Sequence, residues 1–387
     1  MEIKKSNKLN IFLVALPSIG IGATWNMNGT IIPLLVEMTT KSSFELGILV
    51  AMASVTGVFG PYVSGILSDK LGKRKPFVLF TSLAGAIFVF CLGFSSIYLE
   101  MFIFASLFYL SMNLYQGSYF AWMPESVEKN KIGLVNGWGK LLYGVGGIVV
   151  FGFGVFLFDI NPVLPFITSG LLILIPNIIT AVTVKEDRSN FNKSSAKISF
   201  DFIKNSAAMK VFLTTFFLYL AYGFIMPYWL PYFEKANNFS SSEISLALVG
   251  FMGAGVVLSI LIGILCDKYN KQLIFFITCL VYFVAFLIGM YVMNLGMLWE
   301  FATMFGVGFA LFQVVFYAII PAVVPKERLG EYMGLSNVFI AIPQIIGNLV
   351  GGILISNGDM YLLIPIALVS TIIAALICGI GKIKFIN

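Results

Sequence analysis

Gly65-Ile66-Leu67-Ser68-Asp69-Lys70-Leu71-Gly72-Lys73-Arg74-Lys75 returns 198 residues later as Gly263-Ile264-Leu265-Cys266-Asp267-Lys268-Tyr269-Asn270-Lys271. The offset reaches well beyond this stretch: it also pairs Pro33 with Pro231, Ser43 with Ser241, Glu45 with Glu243 and Gly57 with Gly255. A shift of 197 then pairs Gln116 with Gln313, Ala121 with Ala318, Pro124 with Pro321, Gly133 with Gly330 and Gly137 with Gly334. Apolar residues align by chance in any greasy chain, but Gly, Pro, Asp and Gln do not keep a common register that way. The chain is two copies of one ancestral unit, and a repeat on that scale redefines the reading of the fold.

The sequence around the repeat is that of a membrane protein. Its 387 residues are 59% hydrophobic and 11% charged, with a mean hydropathy of +0.96. A soluble domain covers its surface with roughly 25% charged residues. Uncharged runs long enough to cross a hydrocarbon layer, about 20 helical residues, fall at 10–36, 46–67, 77–99, 101–123, 132–158, 162–184, 211–233, 244–266, 272–293, 298–323, 332–356 and 361–381. Backbone polar groups in lipid must be satisfied within the protein, so such runs read as helices. The expected fold is an all-α membrane protein of twelve transmembrane helices in two six-helix bundles. Residues 1–184 form the first bundle, the polar stretch 185–210 a linker, and 211–387 the second bundle.

Charge placement orients the chain. There are 24 Lys and Arg against 18 Asp and Glu, a net charge of +6. With both termini and the even-to-odd connections placed in the cytoplasm, 21 of the 24 bases lie inside; Lys41 and Lys235 lie outside, and Lys140 lies within a span. The acids divide ten to eight, so the bias belongs to the bases, as the positive-inside rule requires. Both termini are thus expected in the cytoplasm of a cell-membrane protein, and the net positive charge does not imply nucleic acid. The basic stretch Met1 to Asn10 precedes a run too long for a signal-peptide core, so the first helix is expected to stay. Histidine is absent, and Cys91, Cys266, Cys279 and Cys378 form no C-x-x-C pair. Neither a metal site, a cofactor nor an enzymatic centre is expected.

The segment Gly65 to Lys75 resembles the loop signature between helices 2 and 3 of the major facilitator superfamily: Gly, three residues, Asp, a base, one residue, Gly, then two or three bases. The resemblance extends over the whole chain; its second copy departs at Asn270, which stands in the glycine position. It implies a solute carrier with a cavity near mid-membrane between the halves. It also implies a conformational latch built from Gly65, Asp69, Gly72, Lys73, Arg74, Asp267 and Lys268. Gly65 permits close helix contact, Asp69 can accept hydrogen bonds from helix-end amides or an arginine, and Gly72 supplies a tight turn. An ordinary basic loop is the alternative. Within the superfamily, Gln116-Gly-Ser-Tyr119-Phe-Ala-Trp122-Met-Pro124-Glu125 ahead of Gly133, with its counterpart from Tyr317 to Gly330, is similar to the glycoside-pentoside-hexuronide and sucrose-transporter-like group. That resemblance implies a sugar or glycoside as solute. The sequence departs from the group in placing no Asp or Glu deep in a span. Glu37, Glu100, Glu125, Glu300 and Asp359 all sit at span ends, so a coupling ion, proton or sodium, stays open.

Lys140 is the sharpest candidate for solute contact. It lies about eight residues into the fifth span, or about 12 Å at 1.5 Å per residue, and its repeat counterpart is Asn337. A lysine there either snorkels to the interface or lines a cavity, since ionisable groups within membranes are costly to keep. Further polar stripes carry Asn26 and Thr30 on helix 1, Asn113, Gln116 and Tyr119 on helix 4, Tyr219 and Tyr222 on helix 7, Gln313 and Tyr317 on helix 10, and Asn337 and Gln344 on helix 11. Aromatic rings stack on the C–H faces of sugars while amides pair with hydroxyls; packing between helices is the competing role. Trp25, Trp122 and Trp299 rank lower as solute contacts, since aromatics near helix ends are equally often interfacial anchors. Glycines crowd helix 5 and suit close helix packing, and the Gly-Pro pair of drug–proton antiporters is missing there. The expected function is alternating-access transport of a small polar solute, a sugar or glycoside. A carrier of small organic anions paired with Lys140, or efflux of hydrophobic compounds, is the alternative, and a receptor or scaffold is the reading from another class. The partners expected are the solute and the bilayer, with the chain a monomer.

Overall fold

The computed structural model describes residues 8–71, 73–128, 131–184, 205–325, 328–383 and 385, and every regular element among them is helical. The first span is α1 (Lys8–Ala15), α2 (Ser18–Asn26) and α3 (Ile31–Thr39). It is followed by α4 (Ser43–Leu71), α5 (Arg74–Gly93), α6 (Tyr98–Glu125), α7 (Ile132–Ile160) and α8 (Leu164–Thr183). The second series is α9 (Ser206–Ile225) with α10 (Trp229–Asn237), then α11 (Ser241–Lys268), α12 (Lys271–Gly289), α13 (Leu295–Val323), α14 (Leu329–Ser356) and α15 (Leu363–Gly379). Eleven stretches among the described residues are long and apolar enough to cross a membrane. The remaining span, α6, has 28 residues but carries Asn113, Gln116 and four tyrosines along its length. The fold is an all-α membrane protein built from a duplicated six-helix unit.

Two spans read as continuous, 10–36 and 211–233, are broken. In the first, α1 ends at Ala15 just ahead of Pro17, and a 3-10 turn over Met27–Gly29 leads to Thr30, whose φ of −138° and ψ of −64° are not helical. In the second, a 3-10 turn over Met226–Tyr228 separates α9 from α10. The cause is local. Pro17, Pro33 and Pro227 lack the N–H that would continue the ladder, and Gly29 adds backbone freedom at the first of the two turns. The breaks fall at equivalent places in the repeat, just ahead of Pro33 and Pro231.

The chain divides into two compact units, Met1–Lys41 with Val55–Ser194, and Ser42–Ser54 with Ser195–Asn387. Most of the expected linker, 185–204, lies outside the described residues. In the first unit α2 and α7 touch backbone to backbone. A Cβ on Gly22 would stand 1.9 Å from Tyr143 O, and one on Gly146 would stand 2.0 Å from Ile19 O. Glycine is the residue that permits such an approach in a membrane bundle. In the second unit α9 and α14 meet the same way, with the Gly347 position 2.8 Å from the Gly223 carbonyl carbon. The core there is aromatic: Phe301, Phe305, Phe286 and Tyr282 pack at ring separations between 5.3 and 6.3 Å. Outward-facing Phe80, Phe153, Phe156 and Val182 are 60–80% exposed, as side chains in contact with lipid would be.

Candidate functional site

The first unit builds its polar interior around the break in the first span. Trp25 Nε1 donates to Gln116 Oε1 at 2.7 Å, and the indole stacks on Tyr109 with centroids 6.1 Å apart and planes 9° from parallel. Tyr109 Oη in turn donates to Asn28 Oδ1 at 2.6 Å. Trp25, ranked low from sequence as a solute contact, is thus half-buried beside a predicted solute-facing residue. The signal was available: Trp25 lies in the middle of its run, away from both ends.

Other predicted residues of this unit are occupied in holding helices together. Asn26 is buried and donates to Gly22 O at 2.7 Å. Asn113, also buried, donates to Thr56 Oγ1 at 2.9 Å and to Tyr109 O at 3.0 Å. Tyr119 is fully buried; its hydroxyl donates to Val14 O at 2.9 Å and lies 3.1 Å from Ser18 Oγ. Thr30 is fully buried at the helix break, and its hydroxyl has no hydrogen-bond partner among the described residues. Such an orphan is costly unless water satisfies it.

In the second unit Gln313 Nε2 donates to Tyr219 Oη at 3.2 Å. Gln313 is the repeat counterpart of Gln116, and each glutamine bonds an aromatic side chain of the broken span in its own unit. Tyr219 sits edge-on to Phe312 at 5.1 Å, and half-buried Tyr222 stacks on Phe309 at 5.4 Å. Tyr317 is 47% exposed, and its counterpart Phe120 is 43% exposed. On α14, Asn337 and Gln344 are half-buried. At 100° per residue they lie roughly opposite the exposed stripe Ile342, Ile346, Val350 and Ile353. Gln344 Oε1 accepts from Ser54 Oγ at 2.7 Å, both within the second unit.

Lys140 is exposed on α7. No carboxylate among the described residues pairs with it.

The loop cluster is partly described. Arg74 begins α5 and is 6% exposed; Nε and Nη2 bind Glu125 Oε2 and Oε1 at 2.7 and 3.0 Å, and Nη1 donates to Ser68 Oγ at 3.1 Å. Glu125, quoted in the helix 4 motif but not placed in the latch, is the partner sequence reasoning missed. Lys73 is exposed at the N-cap of α5, Gly65 faces open space, and Lys268 is exposed in the second copy, as its counterpart Lys70 is in the first. The side chains of Asp69 and Asp267, and all of Gly72, lie outside the described residues.

A duplicated six-helix unit with broken helices and polar, aromatic interior faces defines a polytopic membrane carrier. Residues 14–210 and 211–382 each match the Major Facilitator Superfamily, and the chain belongs to that family. It is 24% identical to the quinolone resistance protein NorA of Staphylococcus aureus over 389 residues, covering 94% of this chain and 93% of that protein. A segment of 156 residues is 35% identical to an uncharacterised transporter of the same type from Methanocaldococcus jannaschii, covering 39% of this chain and 38% of that protein. Among solved structures, the nucleoside transporter NupG superposes with a TM-score of 0.77 at 18% identity over 97% of this chain and 99% of that one. A bacterial homologue of the human lysosomal transporter Spinster does so at 0.75 and 13%, over 97% of each. These likenesses carry the fold.

Proposed function

We propose that the protein carries a small polar solute bearing a flat face, a sugar or glycoside, across the cell membrane by alternating access. The observation that carries this reading is the repeated glutamine–aromatic contact: Gln116 with Trp25 in one unit, Gln313 with Tyr219 in the other. Unlike the buried Asn26 and Asn113, whose amides are spent on backbone and neighbouring helices, both glutamines are half-buried beside their rings. An amide beside a ring is what a hydroxylated ring needs, since the aromatic face meets C–H groups and the amide meets hydroxyls. Full-length relatives point the same way in part: NupG is a nucleoside transporter, and a nucleoside joins a sugar to a planar base. NorA, named for quinolone resistance, supports the efflux alternative.

The test is uptake into sealed proteoliposomes of labelled hexoses, glycosides and nucleosides. Saturable uptake above protein-free vesicles, lowered about tenfold in Gln116→Ala and in Gln313→Ala, is expected, each loss being that of one hydrogen bond. Uptake of the whole panel at the protein-free rate overturns the reading.

A further inference from the structure

We infer that Lys140 receives a negative charge on the solute, so that among sugars and glycosides the carrier selects those bearing a carboxylate; the inference rests on the transport reading above and narrows its solute class.

The case begins with the two exposed faces of α7. Leu134, Leu141, Phe153, Phe156 and Ile160 are each 40–61% exposed, and at 100° per residue they centre roughly 160° around the helix from Lys140. That face is purely apolar and suits lipid. Gly133, Asn136, Gly137 and Lys140 are also exposed. Their spacing of i, i+3, i+4 and i+7 gathers them within roughly 100° of one another. A Cβ at Gly133 or Gly137 would meet nothing within 4 Å, so the space beside this second face is open. It holds an amide, an ammonium and two glycines, and no apolar side chain. A face in hydrocarbon would not be built so.

The same stripe continues upward as Gly144, Gly147, Phe151, Gly154 and Phe158, all of them buried. The opening is therefore confined to the first third of α7 and closes above Lys140. A snorkelling lysine needs only a path to the interface. Lys140 stands at the inner end of an exposed polar stripe, where a solute entering along that stripe would stop.

Charge decides what such a solute is. The helices packed on α7 are α1, α2, α3, α6 and α8. Among their acids, Glu37 lies in the last turn of α3, Glu100 in the first turn of α6, and Glu125 is bound to Arg74. On α7 itself Asp159 lies 19 residues away, or about 28 Å along the axis. The positive charge of Lys140 is uncompensated within the span by any described residue of its unit. A cation would be repelled there. A neutral solute would leave the ammonium with water alone, whereas a carboxylate forms a charge-assisted hydrogen bond with it.

The test compares matched probes in proteoliposomes holding the full chain: glucuronate against glucose and glucosamine, and galacturonate against galactose. Wild type is expected to move each anion at least about tenfold faster than its neutral or cationic partner, the scale of one charge-assisted hydrogen bond. Lys140→Gln should remove that preference by lowering anion flux about tenfold relative to neutral flux, and Lys140→Arg should restore it. Thermal unfolding of each variant in detergent checks folding, and Arg rescue separates charge from structure. Equal flux of anion and neutral partner in wild type, or an anion preference that survives Lys140→Gln, overturns the inference while leaving transport standing. Failure of every probe to enter above the protein-free rate sinks the transport reading with it.

Discussion

Arg74 grips Glu125 through two parallel bonds, 2.7 and 3.0 Å long, across 51 residues of chain. The fork geometry of the guanidinium matches the carboxylate, and the pair is largely withdrawn from water, with side chains 8% and 24% exposed. The helix start of α5 is thereby fastened to the helix end of α6. Removing one partner strands the other charge, so Glu125→Gln should destabilise the first unit by about 3 kcal/mol, the lower end of what breaking a buried pair costs. Replacing both, as Arg74→Gln with Glu125→Gln, should cost less than the sum of the single changes. Equilibrium unfolding in mild detergent, run as a double-mutant cycle, measures the coupling. A coupling under about 0.5 kcal/mol would put this pair with ordinary surface ion pairs.

The glycine contacts of α2 and α7 predict a sharp contrast along one helix. Gly146→Ala places a methyl 2.0 Å from Ile19 O, a backbone atom that cannot swing aside. The helices must part, at a cost of about 3 kcal/mol, the upper end for overpacking. Gly137→Ala, on the same helix, meets open space and should be neutral or gain about 0.5 kcal/mol in helix propensity. Melting temperatures of the two variants settle the contrast; equal effects would mean that the close approach is not what glycine is there for.

The duplication and the span count were legible because Gly, Pro, Asp and Gln held one offset while hydropathy marked the runs. The breaks at Met27–Gly29 and Met226–Tyr228 were less so. Hydropathy is blind to whether an apolar run is one helix or two, although Pro33 and Pro231 stand in matching places of the repeat. At the site, residue type did not separate the two uses of polar side chains. Gln116 and Gln313 meet aromatics at partly open faces, while Asn26, Asn113 and Tyr119 spend their groups on backbone and neighbouring helices. Both uses put polar residues at helical spacing, and only the packing of a neighbouring helix tells them apart. Trp25 shows the converse case, an aromatic ranked low by type although its position in the middle of its run argued for the interior.

The indole of Trp25 offers a direct probe of its neighbour. With Nε1 bound to Gln116 Oε1 and the ring stacked on Tyr109, its fluorescence should report any solute that displaces the glutamine. In a variant retaining Trp25 as its single tryptophan, saturating concentrations of a transported solute should shift the emission maximum. Gln116→Ala should shift it without solute and abolish the further response. An emission spectrum indifferent to both would place the solute elsewhere.

The end of α15 shows how the second unit secures its last helix, and it yields the final prediction. A helix C-terminus leaves its last carbonyls without intrahelical partners, and three devices secure the end of α15 and the turn just beyond it. Gly381 adopts φ of +70°, the left-handed turn that commonly ends a helix and that glycine adopts without strain. Lys210 of α9 donates to Ile380 O and, at 2.9 Å, to Gly381 O, setting a positive charge at the negative end of the helix dipole. Gln272 of α12 donates to Cys378 O and Gly381 O, both at 2.9 Å, and accepts from Ile383 N at 2.8 Å. One side chain thus closes both sides of the turn. Gln272→Ala should cost about 2 kcal/mol, three bonds at the usual net value less what water regains at this half-open site. Lys210→Met keeps the apolar stem and loses the head group, and should cost about 1 kcal/mol. The loss should be local. Hydrogen exchange at the Ile383 amide should quicken by tenfold or more in Gln272→Ala, while amides in the middle of α15 keep their protection. Exchange that quickens equally along all of α15 would show that the clamp holds the whole helix; an unchanged Ile383 amide would show that it holds nothing.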